Sequence, residues 1–347
     1  MARITIVTSH PTLSQGGHLV ISQALERALR EAGHEAEVLY TPEARFGALA
    51  SSYWTTWRSD VRQVHSGRPV DQVISIRFPS YAVRHLQHTC WLNHRMREYY
   101  DRWVPFKRSL SYRNGLKESV RRQVVQACDR YLLTSHVNRV FAQSKTIQER
   151  LVRWGGVSSK VLYPPPPQRQ YRSDGYENYL FVVSRLTPLK RIGLIIEALN
   201  QPETAGVRCL IAGDGEERDA LRMQIEQLGM TDRVKLLGRL SEAELLGYLS
   251  RCRAVCFPPL AEDYGFVTVE AFASKKAVIT CYDSGGPAEL VEHGVNGVVC
   301  SPTAAALAVG IEALMDNKNL AERYGLAGHD VARALSWEGV VARLVVS

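Results

Sequence analysis

The chain has no run of about eighteen apolar residues, so no segment reads as a membrane-spanning helix. Its opening, MARITIVTSH, lacks the basic region, apolar core and small-residue cleavage site of a secretory leader, and reads instead as a first strand. The seven cysteines (Cys90, Cys128, Cys209, Cys252, Cys256, Cys281 and Cys300) are odd in number, and none of their spacings makes a paired C-x-x-C zinc pattern. Cys252 and Cys256 could meet along a helix edge, but they read better as small buried apolar groups, and a reduced, cytoplasmic setting is expected. No dense Asp/His constellation offers a metal site, and Asp263 beside Glu262 is not a metal-binding pair by itself. No nucleic-acid-binding motif is present either. Repeats and low-complexity tracts are missing apart from one proline run.

What is present suits a soluble globular protein: 45% hydrophobic and 22% charged residues in a 347-residue chain, long enough for two ordinary domains. The net charge of +8 is unevenly spread. Residues 1–167 hold 24 Lys+Arg against 12 Asp+Glu, whereas residues 168–347 hold 19 against 23. The excess peaks over 84–122, where ten cations face three acids. Such a segment suits an anionic membrane surface or an acidic substrate, although solvated helix faces would give the same count.

YPPPPQRQYRSDGYEN (163–178) divides the chain, because four prolines force an extended path and the polar stretch beyond has no regular period. On both sides strands alternate with helices. RITIVTS (3–9), AEVLY (36–40), VISIRFP (73–79), HTCWLN (88–93) and RVFAQ (139–143) are the expected strands of the front half. YLFVVSRL (179–186), RCLIAG (208–213), RVKLLG (233–238), RAVCFPP (253–259) and KAVITC (276–281) are those of the back half. HLVISQALERALREAG (18–33) is an amphipathic helix that Gly33 can stop, and SEAE (241–244) is a capping box. This alternation predicts an α/β protein with two parallel sheets covered on both faces, whose ligands bind beyond the carboxyl ends of the strands.

Five stretches could carry chemistry. SQGGHLV (14–20) joins the first strand to the first helix through Gly16 and Gly17, which suits either a seat for phosphate or a reacting sugar carbon, or merely a tight turn. VVSRLTPLKRIGLIIEAL (182–199) brings Arg185 and Lys190 out of a strand end, where they could grip phosphate oxygens or form surface ion pairs. In AGDGEERDAL (212–221), Gly213 and Gly215 begin a dinucleotide fingerprint that Arg218 defeats, so these glycines are expected to shape a turn near a ligand. PPLAEDYGFVTVEAF (258–272) puts Glu262 on a loop and Glu270 in the opening turns of a helix starting near Phe266, a pocket for something polar and anionic. SSYWTTWRSD (51–60) is an aromatic-rich loop that either packs on the front domain or touches an acceptor or a membrane interface.

Together these residues resemble the retaining glycosyltransferases of family 4. The resemblance spans the back half closely, through SRLTPLKRI, IAGDGEERDAL, VKLLGRLSEAELLGYLSRC and PPLAEDYGFVTVEAFASKKAVITCYDSGGPAELVEHGVNGVV. It is patchier in front, through TSHPTLSQGGH and VISIRFPSYAVRHLQHTCWLNHRMREYYDRW. It implies the GT-B fold, with two Rossmann-like domains whose parallel sheets face one another across a cleft. The expected divisions are an acceptor-side domain over 1–165, a nucleotide-sugar domain over 166–335, and a C-terminal helix over 336–347 returning to the first.

The resemblance also implies roles. Glu270 would bond the ribose and Glu262 the donor sugar, with Gly265, Phe266 and Val267 holding sugar or phosphate. Arg185 and Lys190 would neutralise the departing diphosphate, and His94, or else His88, would contact the transferred sugar. Gly16, Gly17, Gly213, Gly215 and Arg239 complete the expected nucleotide-sugar contacts. The implied donor is a UDP- or GDP-sugar and the acceptor a saccharide or lipid-linked hydroxyl, with no cofactor required. The two cations make a divalent metal unnecessary for charge without excluding one. A sugar-nucleotide epimerase and a catalytically silent nucleotide-binding module remain the alternatives.

Overall fold

The apolar opening forms β1 (Arg3–Ser9), which is buried along nearly its whole length because parallel strands covered on both faces leave no wet side. In the computed structural model the described residues are 1–9, 17–41, 49–61 and 67–346. The chain continues through α1 (Gly17–Glu31), β2 (Glu35–Thr41), α2 (Leu49–Arg58), β3 (Gln72–Ser75), β4 (His88–Leu92), α3 (Trp103–Arg108), α4 (Tyr112–Tyr131), β5 (Arg139–Ala142), α5 (Lys145–Arg153) and β6 (Lys160–Val161). These strands make one parallel sheet in the order β2-β1-β3-β4-β5-β6.

After the prolines come β7 (Leu180–Val183), α6 (Ile192–Leu199), β8 (Cys209–Ala212), α7 (Arg218–Gln227), β9 (Val234–Gly238), α8 (Glu242–Arg251) and β10 (Ala254–Cys256). They are followed by α9 (Phe266–Ala273), β11 (Ala277–Cys281), α10 (Gly286–Leu290), β12 (Gly297–Cys300), α11 (Ala304–Asp316) and α12 (Lys318–Ala334). The second parallel sheet has the order β12-β11-β10-β7-β8-β9. Ile195, Leu199, Ile211, Ile279, Leu307 and Ile311 are fully buried in one core that joins its sheet to α6 and α11. Ser241 and Glu244 exchange the two hydrogen bonds of the capping box that opens α8.

The two compact units are Met1–Pro164 with Ser336–Ser347, and Pro165–Leu335. The last helix, α13 (Trp337–Leu344), lies in the first unit. Gln72 fastens it by donating to the Leu344 carbonyl at 2.7 Å and accepting from the Val346 amide at 2.9 Å. Trp337 meets Trp91 edge to face, with ring centroids 6.1 Å apart.

The aromatic stretch read as a loop is helical: residues 51–58 lie in α2. Their Ser, Thr and aromatic content has modest helix propensity, but Leu49, Ser52 and Thr56 recur at helical spacing on a buried face, and packing overrides propensity. The strands are also shorter than the apolar runs, as with β10, where Phe257 and the prolines already belong to the following loop.

Candidate active site

In the second sheet β7 and β10 are neighbours, with Leu180 opposite Ala254 and Phe181 opposite Val255. From β7 the chain moves outward through β8 and β9, and from β10 it moves outward the other way through β11 and β12. The strand order therefore reverses between β7 and β10. Ligands of open α/β sheets bind beyond the carboxyl ends of the strands at such a point.

The loop leaving β7 carries exposed Arg185, a short turn over Pro188–Lys190, and Arg191 in the left-handed region at φ 52°. Arg191 holds Asp283 with a two-pronged guanidinium–carboxylate pair at 2.8 and 2.6 Å, which anchors the turn to the loop after β11. Lys190 is thereby held inward: its ammonium donates to Glu262 Oε2 at 2.6 Å and stands 5.3 Å from the centre of the Phe257 ring. Arg185 makes no side-chain hydrogen bond or ion pair with the described residues. Gly213 and Gly215 pack directly beneath this loop. A Cβ on Gly213 would stand 1.7 Å from the Ser184 carbonyl oxygen, and one on Gly215 would stand 2.3 Å from that of Leu186. Both glycines therefore admit the close approach that positions Arg185.

The loop leaving β10 is stitched on both sides. The Leu260 amide donates to the Leu189 carbonyl at 2.7 Å, the Glu262 amide to Ser284 at 2.8 Å, and the Gly286 amide back to Glu262 at 3.0 Å. A Cβ on Gly285 would come within 2.4 Å of the Glu262 carbonyl oxygen, so the double glycine of SGGPAEL lets the loop after β11 lie against the Glu262 loop. Three loops thus converge, and Lys190–Glu262 spans the reversal point.

Gly265, at φ +81°, turns this loop into α9. A side chain there would also strike Pro287 and Phe257. Phe266 and Val267 form the first turn, whose backbone N–H groups have no acceptor within the helix. One turn later Glu270 is buried, and its Oε1 accepts from Arg169 Nη1 at 2.5 Å and from the Tyr171 hydroxyl at 3.2 Å. Burial pushes its carboxyl pKa upward, while the Arg169 charge and the Tyr171 hydrogen bond oppose the shift. Arg169 also reaches Glu242 Oε2 at 3.0 Å.

Arg169 and Tyr171 escaped the sequence reading because they lie in the aperiodic stretch after the prolines. The only available signal was an arginine and a tyrosine immediately following a rigid segment. Arg239 is not drawn into this cluster by any contact among the described residues: it is 86% exposed and stands 3.6 Å from Asp214. No group of three or more His, Cys, Asp or Glu that could hold a metal occurs among the described residues.

In the first unit, Gly17 is the exposed first residue of α1, and Gly16 lies outside the described residues. The next residue, His18, is buried, with Nε2 3.1 Å from the Ser9 carbonyl and Arg77 within 3.1 Å of its ring nitrogens. His94 follows β4, half-buried, with Nδ1 2.8 Å from the Arg95 carbonyl oxygen. It lines a small cavity with Arg97, Asp101 and Arg150. Its rival His88 lies within the sheet, 1% exposed, with Nε2 2.8 Å from the Ser75 hydroxyl, and burial lowers its pKa to about 3.

Residues 167–330 match the family described as glycosyl transferases group 1. A glycosyltransferase of Methanocaldococcus jannaschii, itself uncharacterized, is 26% identical over 218 residues, covering 60% of this chain and 58% of the relative. This chain thus spans less than two thirds of that curated relative. Among solved structures, sucrose-phosphate synthase from Thermosynechococcus elongatus superposes with a TM-score of 0.78 at 17% identity, over 99% of this chain and 97% of that one. The HepE protein of Anabaena, crystallised with UDP and glucose, gives 0.67 at 19% identity over 99% of both chains. The second unit, matched over residues 167–330, is thus a group 1 glycosyl transferase domain, and the two six-stranded parallel sheets give the chain the GT-B fold.

Proposed function

We propose that this protein is a retaining hexosyltransferase that moves a sugar from a nucleoside diphosphate to a hydroxyl acceptor. Its pathway, in this reading, is the assembly of envelope or extracellular polysaccharide or glycolipid. The observation that carries the reading is the Lys190–Glu262 pair spanning the strand-order reversal with exposed Arg185 on the same loop. A cation and a carboxylate held together there suit a ligand with an anionic and a hydroxylated part. UDP and glucose in the crystal structure of the HepE protein support a UDP-sugar donor.

In the proposed reaction Glu262 accepts hydrogen bonds from donor-sugar hydroxyls and Glu270 from the ribose. Arg185 and Lys190 stabilise the negative charge that grows on the diphosphate as the glycosidic bond breaks. The acceptor oxygen then attacks the oxocarbenium-like carbon from the face the diphosphate leaves, and a departing phosphate oxygen takes the acceptor's proton. The first unit supplies the acceptor side and His94 touches the transferred sugar. The basic segment 84–122 favours an anionic or lipid-linked acceptor at the inner membrane face.

Titrating the protein with UDP, GDP and their hexose conjugates, followed by product analysis with saccharide and lipid-linked acceptors, tests this reading. Tight binding of one nucleotide with acceptor-dependent release supports it. No nucleotide binding at all, or isomerisation of the sugar nucleotide without acceptor, defeats it.

A further inference from the structure

Helices α2 and α4 of the first unit do not close on one another. Between them lies an apolar groove of about 560 Å³, lined by Tyr53, Trp54 and Trp57 from α2 and by Val120, Val124 and Cys128 from α4. Small-molecule sites occupy roughly 300–1,000 Å³. On α4, Leu116, Val120 and Val124 recur every fourth residue and are all exposed, at 55%, 63% and 58%. Trp54 is 61% exposed beside them. Scattered exposed apolar residues need no explanation, but a contiguous stripe leading into a groove marks a binding surface.

The groove is built rather than accidental. Beneath it Tyr53 of α2 and Tyr81 both donate to Asp129 Oδ1 of α4, and Tyr100 donates to Oδ2 at 2.6 Å. This fully buried carboxylate therefore ties the two walls together from below. Polar groups form the floor fastening, while the lining above is apolar except for Arg121.

The charges that stand against the groove's tryptophan rings are positive. Arg58 stands 5.9 Å from the Trp54 ring centre, Arg84 stands 5.0 Å from that of Trp57, and both arginines are exposed. Exposed Arg113, Lys117 and Arg130 add to them along α4. The carboxylates of α4 are already engaged: Glu118 by Arg121 at 2.6 Å and by the Tyr99 hydroxyl, and Asp129 by the three phenols.

An apolar slot rimmed by cations is complementary to one chemistry, a long apolar chain that ends in an anion. We propose that this groove seats the tail of a single-chain anionic amphiphile, with the headgroup phosphate held by the rim arginines. This deepens the proposed transfer reaction, on which it rests, by making the acceptor's carrier a phosphorylated lipid taken one molecule at a time.

Cys128 lines the groove and is exposed, whereas the other six cysteines are buried, so its alkylation reports occupancy. The full chain is treated with a maleimide and read by intact mass. The additives are dodecyl phosphate below its micelle concentration, butyl phosphate and uncharged dodecyl maltoside. Dodecyl phosphate should slow alkylation by about tenfold or more, the maltoside far less, and butyl phosphate not at all. Val124→Glu and Val120→Glu, both at exposed positions, should abolish protection with unchanged unfolding midpoint and UDP affinity.

Equal alkylation with and without dodecyl phosphate overturns the proposal. So does protection that persists in both variants, that the maltoside matches, or that only phosphatidylglycerol vesicles confer, the last marking a bilayer-docking face. Because UDP binding is measured separately, Cys128 protection without nucleotide binding would remove the transferase reading while the groove stands. Nucleotide binding without protection would do the reverse.

Discussion

Lys190 Nζ lies 2.6 Å from Glu262 Oε2, joining the loop that leaves β7 to the loop that leaves β10. The two side chains are 13% and 22% exposed, so neither is a freely solvated surface charge. Without Lys190 the Glu262 carboxylate would repel the diphosphate of the proposed donor, and without Glu262 the ammonium would lose its anchor. Lys190→Ala should lower turnover at least tenfold, about 1.4 kcal/mol of transition-state stabilisation. Arg185→Ala should do likewise. Because residues 190 and 262 act as a pair, the double variant with Glu262→Ala should fall well short of the product of the single losses. Initial rates of nucleotide release check this, and multiplicative losses would separate the two residues.

Arg169 is predicted to be a positioning residue for Glu270. The burial that raises the Glu270 pKa is offset first by Arg169, so Arg169→Met should move it higher still. The carboxylate is the better hydrogen-bond acceptor for a ribose hydroxyl. Nucleotide affinity should therefore fall as pH is lowered, and the fall should begin at a higher pH in Arg169→Met. Glu270→Ala should weaken binding by about tenfold or more and flatten the pH dependence. Calorimetric titrations over a descending series of pH values check both. Superimposable pH profiles for wild type and Arg169→Met would remove the role.

Gly213 adopts φ +131°, and a Cβ there would sit 1.7 Å from Ser184 O. Gly213→Ala must push the β7 loop away, so it should destabilise the second unit by about 2–4 kcal/mol. It should also displace Arg185. Hydrogen exchange at the β7 and β8 amides is the measurement, and native protection there would contradict the packing described.

His88 makes the first unit acid-sensitive. Its pKa is lowered by burial from an ordinary 6.5 to about 3, so between these values the unfolded chain binds a proton that the folded chain refuses. Stability is therefore lost as pH falls from about 6.5 toward 3, by up to about 1.4 kcal/mol per pH unit. His88→Gln, which can still bond Ser75, should lose about 1–2 kcal/mol less than wild type between pH 6.5 and 5. All six tryptophans lie in the first unit (Trp54, Trp57, Trp91, Trp103, Trp154 and Trp337), so their emission during urea unfolding reports that unit. Parallel stability curves for the two proteins would refute this account.

Much of the fold was legible because apolar runs bounded by glycine and proline have few alternatives to buried parallel strands. β1, β8 and β11 fall within their predicted runs, and the capping box opens α8 as read. The failures share one cause. Residues 51–58 hold one strong helix former, Arg58, and contact with the rest of the first unit makes them helical. β12 (Gly297–Cys300) is four residues long and was not foreseen, since its register beside β11 exists only once the sheet forms. Arg169 meets Glu270 across 101 positions, a separation that no local pattern encodes.

The amino-acid order by itself determined the alternation of strand and helix, the break at the prolines, and the presence of a cation pair and two glutamates eight residues apart, because these follow from periodicity, backbone chemistry and side-chain type. Tertiary structure alone decided that β7 and β10 are neighbours, and hence that Lys190 reaches Glu262 while Arg239 stays apart. It also decided that α2 and α4 leave an apolar groove open between them. Contacts between distant residues depend on strand order and on how closely two backbones can approach, and neither is written in any short stretch of the chain.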